Sequence, residues 1–386
     1  MDYDNYTKRN SIHVFFLIRS LNIGGTERQL VELVKGLDKN AFEITIGLFY
    51  DEGTLRVELV VLEGVKLLPL FKSGRWDLIR FCTRLITVLH RLKPNILYSF
   101  LPDANLVGLI LGRITRVKQI VWGVRASNMD VSRYDWLART SLRLSVFLSR
   151  FPDAIIANTI AGKEFHRSIG YSTNRMMVVP NGIDTDRFKP DHSAGLRVRD
   201  EWNIDEEKIT IGLVGRLDPM KDHTTFLQAV KIFDQKECSV RFVCIGDGKE
   251  PYKSEIHSLC MTLGLNGSLL WTGARSDMPA VYNALDIVTS TSSYGEGFSN
   301  VIGEAMACGV PCVVTDVGDS AIIVGETGIV VPPEDPQALA DGWRSMLKRL
   351  NDKSYSIKEM ARARIVSYYN SEIFVQKTSK VLLSLL

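Results

Sequence analysis

The sequence predicts an α/β protein of two successive Rossmann-like domains, each a parallel sheet covered by helices. Three observations carry that expectation. In each half of the chain, short apolar runs of strand length alternate with segments of helical apolar spacing. The 386-residue length suits two domains of ordinary size. The composition, 45% hydrophobic and 24% charged, is that of an ordinary globular chain.

The elements follow in chain order. Met1 to Asn10 is polar and partly acidic. Ile12–Ile18 is apolar, stops at Arg19 and lacks a cleavage-site pattern, so it reads as a first buried strand rather than a signal peptide. Thr26–Gly36 reads as a helix because Leu30, Leu33, Val34 and Leu37 recur at helical spacing. Thr26 and Gln29 have capping-box spacing, which sets the helix start at Thr26. Glu43–Phe49 is the next strand, Leu78–Leu92 the next helix, and Asn95–Phe100, Gln119–Val124 and Ala154–Ala157 are further strands. From Pro180 to about Lys208 the chain is polar and irregular, which places a domain junction there. Beyond it Ile209–Val214, Val240–Ile245, Leu269–Trp271, Asp286–Thr291, Pro311–Thr315 and Gly328–Val331 are strands with helices between them. Ser371 to Leu386 is helical.

Composition excludes several classes. No run of eighteen apolar residues is present, so no transmembrane helix is expected. Cys82, Cys238, Cys244, Cys260, Cys308 and Cys312 are scattered, with no Cys-x2-Cys pair and no nearby His cluster. Neither a metal site nor a disulfide framework is expected, and free buried cysteines fit a reducing cytosol. The net charge of +3 is uneven: residues 1–190 carry 27 Lys and Arg against 18 Asp and Glu, or +9, which leaves −6 for residues 191–386. A basic first half implies an anionic partner. No nucleic-acid-binding motif accompanies it, so a membrane surface or a phosphate-bearing acceptor fits better than nucleic acid. Arg75, Arg80, Arg84 and Arg91 decorate one helix, and Arg133, Arg139, Arg143 and Arg150 another segment. Such helices either lie on an anionic membrane or present a plain solvated face.

The chemistry concentrates in Tyr294-Gly-Glu-Gly-Phe-Ser-Asn-Val-Ile-Gly-Glu-Ala-Met-Ala-Cys-Gly-Val-Pro311. A glycine-rich loop follows a strand and runs into a short helix, with Ser299 or Asn300 able to cap its start and Gly309 and Pro311 ending it. Backbone N–H groups at such a start favour a phosphate. Glu296 sits in the loop and Glu304 eight residues on, roughly 12 Å along an ideal helix axis at ~1.5 Å per residue. Carboxylates so spaced suit the two ends of a long, hydroxyl-rich ligand. Upstream, Ile209–Val214 leads into Gly215-Arg-Leu-Asp-Pro-Met-Lys221. Arg216 and Lys221 thus leave the carboxyl end of a strand, where open α/β sheets bind ligands. They are either two surface cations or a clamp for a diphosphate, whose charge grows as a glycosidic bond to it breaks. Gly24 and Gly25 precede the first helix and allow close approach to backbone N–H groups. Asp184-Thr-Asp186 has an Asp-x-Asp form but lies in the junction motif and reads as structural.

These motifs resemble those of the retaining glycosyltransferases of family four, whose GT-B architecture sets two Rossmann-like α/β/α domains facing across a cleft. The Glu296/Glu304 spacing matches the family's Glu-x7-Glu signature. Val179-Pro-Asn-Gly-Ile-Asp184, Ile245-Gly-Asp-Gly248 and Trp271-Thr-Gly-Ala-Arg-Ser-Asp-Met-Pro279 match in order, so the resemblance covers most of residues 12–340. It implies an acceptor-side domain over 1–185, with 371–386 packing back on it, and a donor domain over 186–370. It implies that Arg216 and Lys221 touch the diphosphate, that Glu296 faces the donor sugar and acts in catalysis, and that Glu304 holds the ribose. Gly24, Gly25, Gly215, Asp247, Asp277, Gly297, Phe298, Ser299 and Asn300 would complete the donor side. Many members have Gly where this chain has Asp222, and a first-domain His that is missing from Tyr98-Ser-Phe-Leu-Pro-Asp-Ala-Asn105. Asp103, Asn105 and Arg125 are the acceptor-side candidates, each equally able to stabilise its own loop.

The implied activity is transfer of a sugar from a nucleotide-diphosphate donor, most often a UDP-sugar, to a glycan or polyprenyl-diphosphate-linked acceptor. No cofactor and no obligatory metal are implied. The expected place is the cytoplasm, with peripheral contact at the inner membrane face. The alternatives are a nucleotide-sugar epimerase on the same fold and a nucleotide- or glycan-binding protein without catalysis. The missing dinucleotide glycine fingerprint speaks against a nicotinamide dehydrogenase.

Overall fold

Two all-parallel sheets organise the chain, and their strands are apolar on both faces because helices cover both sides. The structure, a computed structural model, describes residues 11–386 except 75, 126, 128–135, 234–239, 266 and 353–355. Arg75, Arg133 and Cys238 therefore lie outside the described residues. The chain divides into a first unit, Met1–Gly182 with Ser371–Leu386, and a second, Ile183–Asn370. The sequence places the first division after residue 185.

The first unit runs β1 (Ile12–Ile18), α1 (Gly25–Gly36), β2 (Phe42–Leu48), α2 (Arg56–Val60), β3 (Val65–Pro69), α3 (Leu78–Leu92), β4 (Ile96–Phe100), α4 (Pro102–Ile114), β5 (Gln119–Val124), α5 (Trp136–Leu148), β6 (Ala154–Ala157), α6 (Ile160–Ser168) and β7 (Met176–Val178). Its seven strands are ordered β3-β2-β1-β4-β5-β6-β7. Alternate residues of β1 enter different cores. Val14, Phe16 and Ile18 face α1, whereas Phe15 and Leu17 face α3 and α4 through Phe81, Leu85 and Leu111. β3 and β7 are absent from the sequence expectation. Both are edge strands: one interleaves Lys66 and ends at Pro69, and the other spans three residues.

The second unit runs α7 (His192–Glu201), β8 (Ile209–Val214), α8 (His223–Ile232), β9 (Val240–Ile245), α9 (Tyr252–Thr262), β10 (Leu269–Gly273), α10 (Met278–Asn283), β11 (Ile287–Ser290), α11 (Asn300–Ala307), β12 (Cys312–Thr315), α12 (Ser320–Val324), β13 (Ile329–Val331), α13 (Pro336–Asn351) and α14 (Ile357–Tyr368). Its order is β10-β9-β8-β11-β12-β13. Trp343 of α13 is fully buried against Phe226 and Phe242 and donates to Thr289 Oγ1 at 2.9 Å, which satisfies its one polar atom. The last helix, α15 (Ser371–Leu383), belongs to the first unit, where Phe374, Val375, Val381 and Leu382 join the core beneath α1.

The expected start of α1 at Thr26 is corrected. Gly24 is the N-cap, without a side-chain hydrogen bond. Gln29 cannot close a capping box because its amide is used elsewhere. Its Nε2 donates to Gly182 O at 2.8 Å and its Oε1 accepts from Gly182 N at 2.8 Å. Asp184 Oδ1 accepts from the backbone N–H of Asp186 (3.1 Å) and Arg187 (2.9 Å), a local turn role.

Candidate active site

In each sheet the strand order reverses once, between β1 and β4 and between β8 and β11. Crevices outside the carboxyl ends at such reversals are where α/β sheets take ligands. In the second unit the loops after β8 and β11 meet there. Thr291 Oγ1 donates to Lys221 O at 2.6 Å, and Ser293 N donates to Met220 O at 3.0 Å. Gly318, at φ +63° after β12, comes so close behind that a Cβ would lie 2.5 Å from Glu296 O.

This convergence brings Lys221 and Glu296 into an ion pair, with side chains 16% and 12% exposed. Ser292 Oγ also donates to Glu296 Oε2, at 2.9 Å. Burial pushes the Glu296 carboxyl up, but the Lys221 charge and hydrogen bond, Ser292 and the Arg216 charge together hold it below the usual carboxylate range. Arg216 is different. Its side chain is 75% exposed, 3.7 Å from Asp218, with the guanidinium open to solvent at the carboxyl end of β8. Gly215 lies under the aliphatic stem of Lys221.

Lys221 closes a 3₁₀ turn, Pro219–Lys221, which Asp218 caps by accepting from Met220 N at 3.0 Å. Asp222 then adopts φ +45°, ψ +60° and caps α8 through Thr225 N at 3.1 Å. The left-handed backbone accounts for the Gly expected here: Asp tolerates that region better than most residues and adds a cap. His223 is 1% exposed beneath this turn. Burial first, then the Lys221 charge, lowers its pKa to about 4, so it is neutral at neutral pH.

Ser299 occupies the N-cap position of α11 but makes no side-chain cap bond, and it is 2% exposed. Gly297 and Phe298 thus lead into the first turn of α11, whose N–H groups begin at Asn300 and receive no cap from the Ser299 side chain. The Phe298 ring is core, 5.4 Å from Tyr369. Glu304 is on α11 and accepts from Tyr282 OH at 2.8 Å. Asp247, at the end of β9, binds Lys253 at 2.7 Å, and its backbone carbonyl accepts from Leu217 N. Gly246, at φ +144°, permits this closeness, since a Cβ would sit 1.8 Å from Gly215 O. Asp277 is the N-cap position of α10 and pairs with Arg275 at 2.7 Å. Apart from Glu304 in mid-helix, the donor-side residues of the second unit therefore follow the carboxyl ends of β8, β9, β10 and β11 of one sheet. Sequence reasoning missed Ser292, Tyr282 and Gly318, whereas His223 beside the Lys221 loop reads from the sequence as a helix-start residue rather than a base and is the first residue of α8. Only Ser292, four residues before Glu296, had a local signal.

In the first unit Gly24 and Gly25 follow β1 at the reversal, and Glu27 folds back over Gly24, its carboxyl pushed up by burial. Asp103 opens α4 and pairs with Arg19 across the reversal at 3.3 Å, both about half exposed. Asn105 is 3% exposed and stitches strands, accepting from Ser99 Oγ at 2.8 Å and donating to Gly123 O at 3.0 Å. Arg125 donates to Asn181 Oδ1 at 2.8 Å and lies 5.3 Å over the Phe100 ring. Of these three, Asp103 is the one with an exposed side chain.

Comparison with known proteins fits both edges. Residues 23–187 match the family described as Glycosyltransferase Family 4, and residues 208–349 that described as Glycosyl transferases group 1. The chain belongs to the family-four glycosyltransferases. As one of them it is an enzyme with the GT-B fold. It is 29% identical over 247 residues to the lipopolysaccharide core biosynthesis mannosyltransferase LpsB of Rhizobium meliloti, covering 59% of this chain and 68% of that one. It is 25% identical to the capsular polysaccharide biosynthesis glycosyltransferase CapM of Staphylococcus aureus, covering 75% and 77%. It is 24% identical to the UDP-Gal:alpha-D-GlcNAc-diphosphoundecaprenol alpha-1,3-galactosyltransferase of Escherichia coli, covering 77% and 76%. Among solved structures, Anabaena HepE in complex with UDP and glucose shares the fold at a TM-score of 0.82 and 24% identity, over 96% of this chain and 99% of that one. Among the described residues, no group of three or more His, Cys, Asp or Glu side chains could hold a metal ion. Cys82, Cys244, Cys260, Cys308 and Cys312 are free.

Proposed function

We propose that this glycosyltransferase moves a sugar from a UDP-sugar to a glycan or polyprenyl-diphosphate-linked glycan, with retention of anomeric configuration, in the cytoplasm at the inner membrane face. The observation that carries the reading is the meeting of Arg216, Lys221 and Glu296 beside the uncapped start of α11. Two cations and the N–H groups of a helix start suit a diphosphate, and fixed positive charge helps most as that diphosphate departs. Glu304, further along the same helix, is assigned to the ribose hydroxyls. Relatives that act on a diphosphoundecaprenol acceptor or in capsule and lipopolysaccharide synthesis support the acceptor class. UDP and UDP-glucose bound to fold neighbours support the nucleotide.

The test is a panel of UDP- and GDP-sugars, scored for released nucleoside diphosphate with and without a polyprenyl-diphosphate-linked acceptor, and for the product anomer by NMR. A UDP-sugar should give acceptor-dependent release and a retained anomer. An inverted anomer would overturn retention, and an epimerised donor with no glycoside would replace transfer by epimerisation. Turnover should survive EDTA, since the cationic side chains take the place of a metal. Loss that Mg²⁺ or Mn²⁺ restores would overturn the metal-free reading.

A further inference from the structure

The two faces of the first-unit sheet are covered by helices of different electrostatic character, one strongly basic and the other nearly balanced. α3, α4 and α5 pack side by side over one face, α4 in the middle. Together they carry six arginines and a single acidic residue, Asp103. The other face, under α1 and α15, carries Arg28, Lys35, Lys377 and Lys380 against Glu27, Glu32 and Glu372, close to balance. The first-half excess of positive charge is therefore concentrated on one helical layer.

That layer also exposes large apolar groups. Ile79 on α3 is 84% exposed, Ile114 on α4 61% and Phe147 on α5 55%, and Trp76 just before α3 is 77% exposed. A solvated helix face carries charge of both signs and few such side chains. Arginines of one sign interleaved with exposed aromatic and branched apolar residues are instead what an interfacial helix presents to lipid. Not every arginine is available. Arg84 donates to Leu70 O at 3.1 Å and Phe71 O at 2.7 Å and closes its own loop, and Arg113 pairs with Asp153 at 2.9 Å. Arg80 and Arg143 have exposed side chains on α3 and α5.

From this juxtaposition we infer that the outer face of the α3–α4–α5 layer docks on an anionic phospholipid bilayer, with Arg80 and Arg143 meeting headgroups and Trp76, Ile79, Ile114 and Phe147 entering the interface. Charge complementarity selects a negatively charged partner, and the exposed apolar side chains select lipid over nucleic acid, which offers no apolar phase. The inference rests on the reading above that the acceptor is carried by a membrane, and it names the surface that reaches it. It also sets a two-part salt response. Headgroup attraction is screened within about 8 Å at physiological salt, whereas apolar insertion is not.

The test is sedimentation of the full chain with phosphatidylcholine vesicles, with or without 30 mol% phosphatidylglycerol, at about 0.1 and 0.5 M salt. Three double variants are compared: R80E/R143E and I79S/F147S on the docking face, and K377E/K380E on the other. Each cation near an anionic surface is worth about fivefold in binding, so R80E/R143E should lose at least tenfold. K377E/K380E makes the same change of net charge and should stay within about twofold of the parent. The parent should bind anionic vesicles preferentially and keep part of that binding in 0.5 M salt, whereas I79S/F147S should be fully released. Melting curves check that each variant is folded. Equal loss in the two charge-reversal variants would overturn the inference, because net charge rather than one face would then be responsible. So would absence of any preference for anionic lipid, or binding of a single-stranded oligonucleotide in place of vesicles. Donor turnover is measured on the same samples. With a polyprenyl-diphosphate-linked acceptor added to the vesicles, docking without acceptor-dependent turnover would refute the membrane-carried acceptor and leave the docking face intact; turnover without docking would do the reverse.

Discussion

Arg216 and Lys221 stand five positions apart on one loop and differ in what their loss leaves behind. Either change to Ala should lower turnover by about 10²-fold or more, the scale of a lost charge-stabilising group. Lys221→Ala should also cost roughly 3 kcal/mol of stability, because it strands the enclosed Glu296 carboxylate. Arg216→Ala should leave stability unchanged, since its side chain is largely in water. Urea unfolding checks both, and K221A/E296A should recover part of the loss; no recovery would mean that the pair is not what K221A broke. His223 makes a separate prediction. Its folded pKa of about 4 lies below the ordinary histidine value of about 6.5. Between those values the unfolded chain binds the extra proton, so this contribution is complete above pH 6.5 and declines as pH falls toward 4. His223→Asn should lose about 2 kcal/mol less than the parent between pH 7 and 4.5 in urea titrations. Equal slopes would show that His223 is not the titrating group. At this scale the charged groups of the site were legible because motif spacing names them. Their partners were not: Tyr282 reaches Glu304 from another helix, 22 positions away, and nothing in the local sequence announces it.

At the scale of the element, the turn into α8 combines a cap with a left-handed backbone in one residue, Asp222. Asp222→Gly loses the cap and relieves the backbone, so its stability should fall by less than about 1 kcal/mol. Asp222→Ala loses the cap and keeps the strain, and should cost about 2 kcal/mol. Paired denaturation curves decide this; an Ala variant as stable as the Gly variant would remove strain from the account. Central elements were readable from sequence because burial on both faces leaves near-continuous apolar runs, as in Ile209–Val214 and Gln119–Val124. Edge elements were not. β3 mixes Lys66 and Pro69 into its run, and three-residue β7 is shorter than any periodicity can register. The start of α1 was misread for a different reason: Gln29 serves a tertiary contact to Gly182, which local capping rules cannot anticipate.

Across the whole molecule, the chain leaves the first unit after Gly182, builds the second, and returns with α15. Removing residues 371–386 should expose the core beneath α1 and destabilise the first unit by several kcal/mol, at about 1.5–3 kcal/mol for each buried apolar side chain lost. The second unit should remain folded and keep its thermal stabilisation by UDP. Limited proteolysis should cut the first unit earlier; loss of UDP stabilisation would show that the second unit depends on the helix as well.

The return of α15 also has a consequence for synthesis. The segment that covers Leu30, Leu33 and Val34 is made only after the whole second unit. Translation of residues 183–370 intervenes, and at ~5–20 residues per second it takes roughly 10–40 s. For that interval the earlier-made half has all its strands and lacks part of its apolar cover. The later-made half is contiguous and can complete its own core first. The nascent chain should therefore mature in the reverse of its order of synthesis, with the first unit dependent on chaperone protection until α15 emerges.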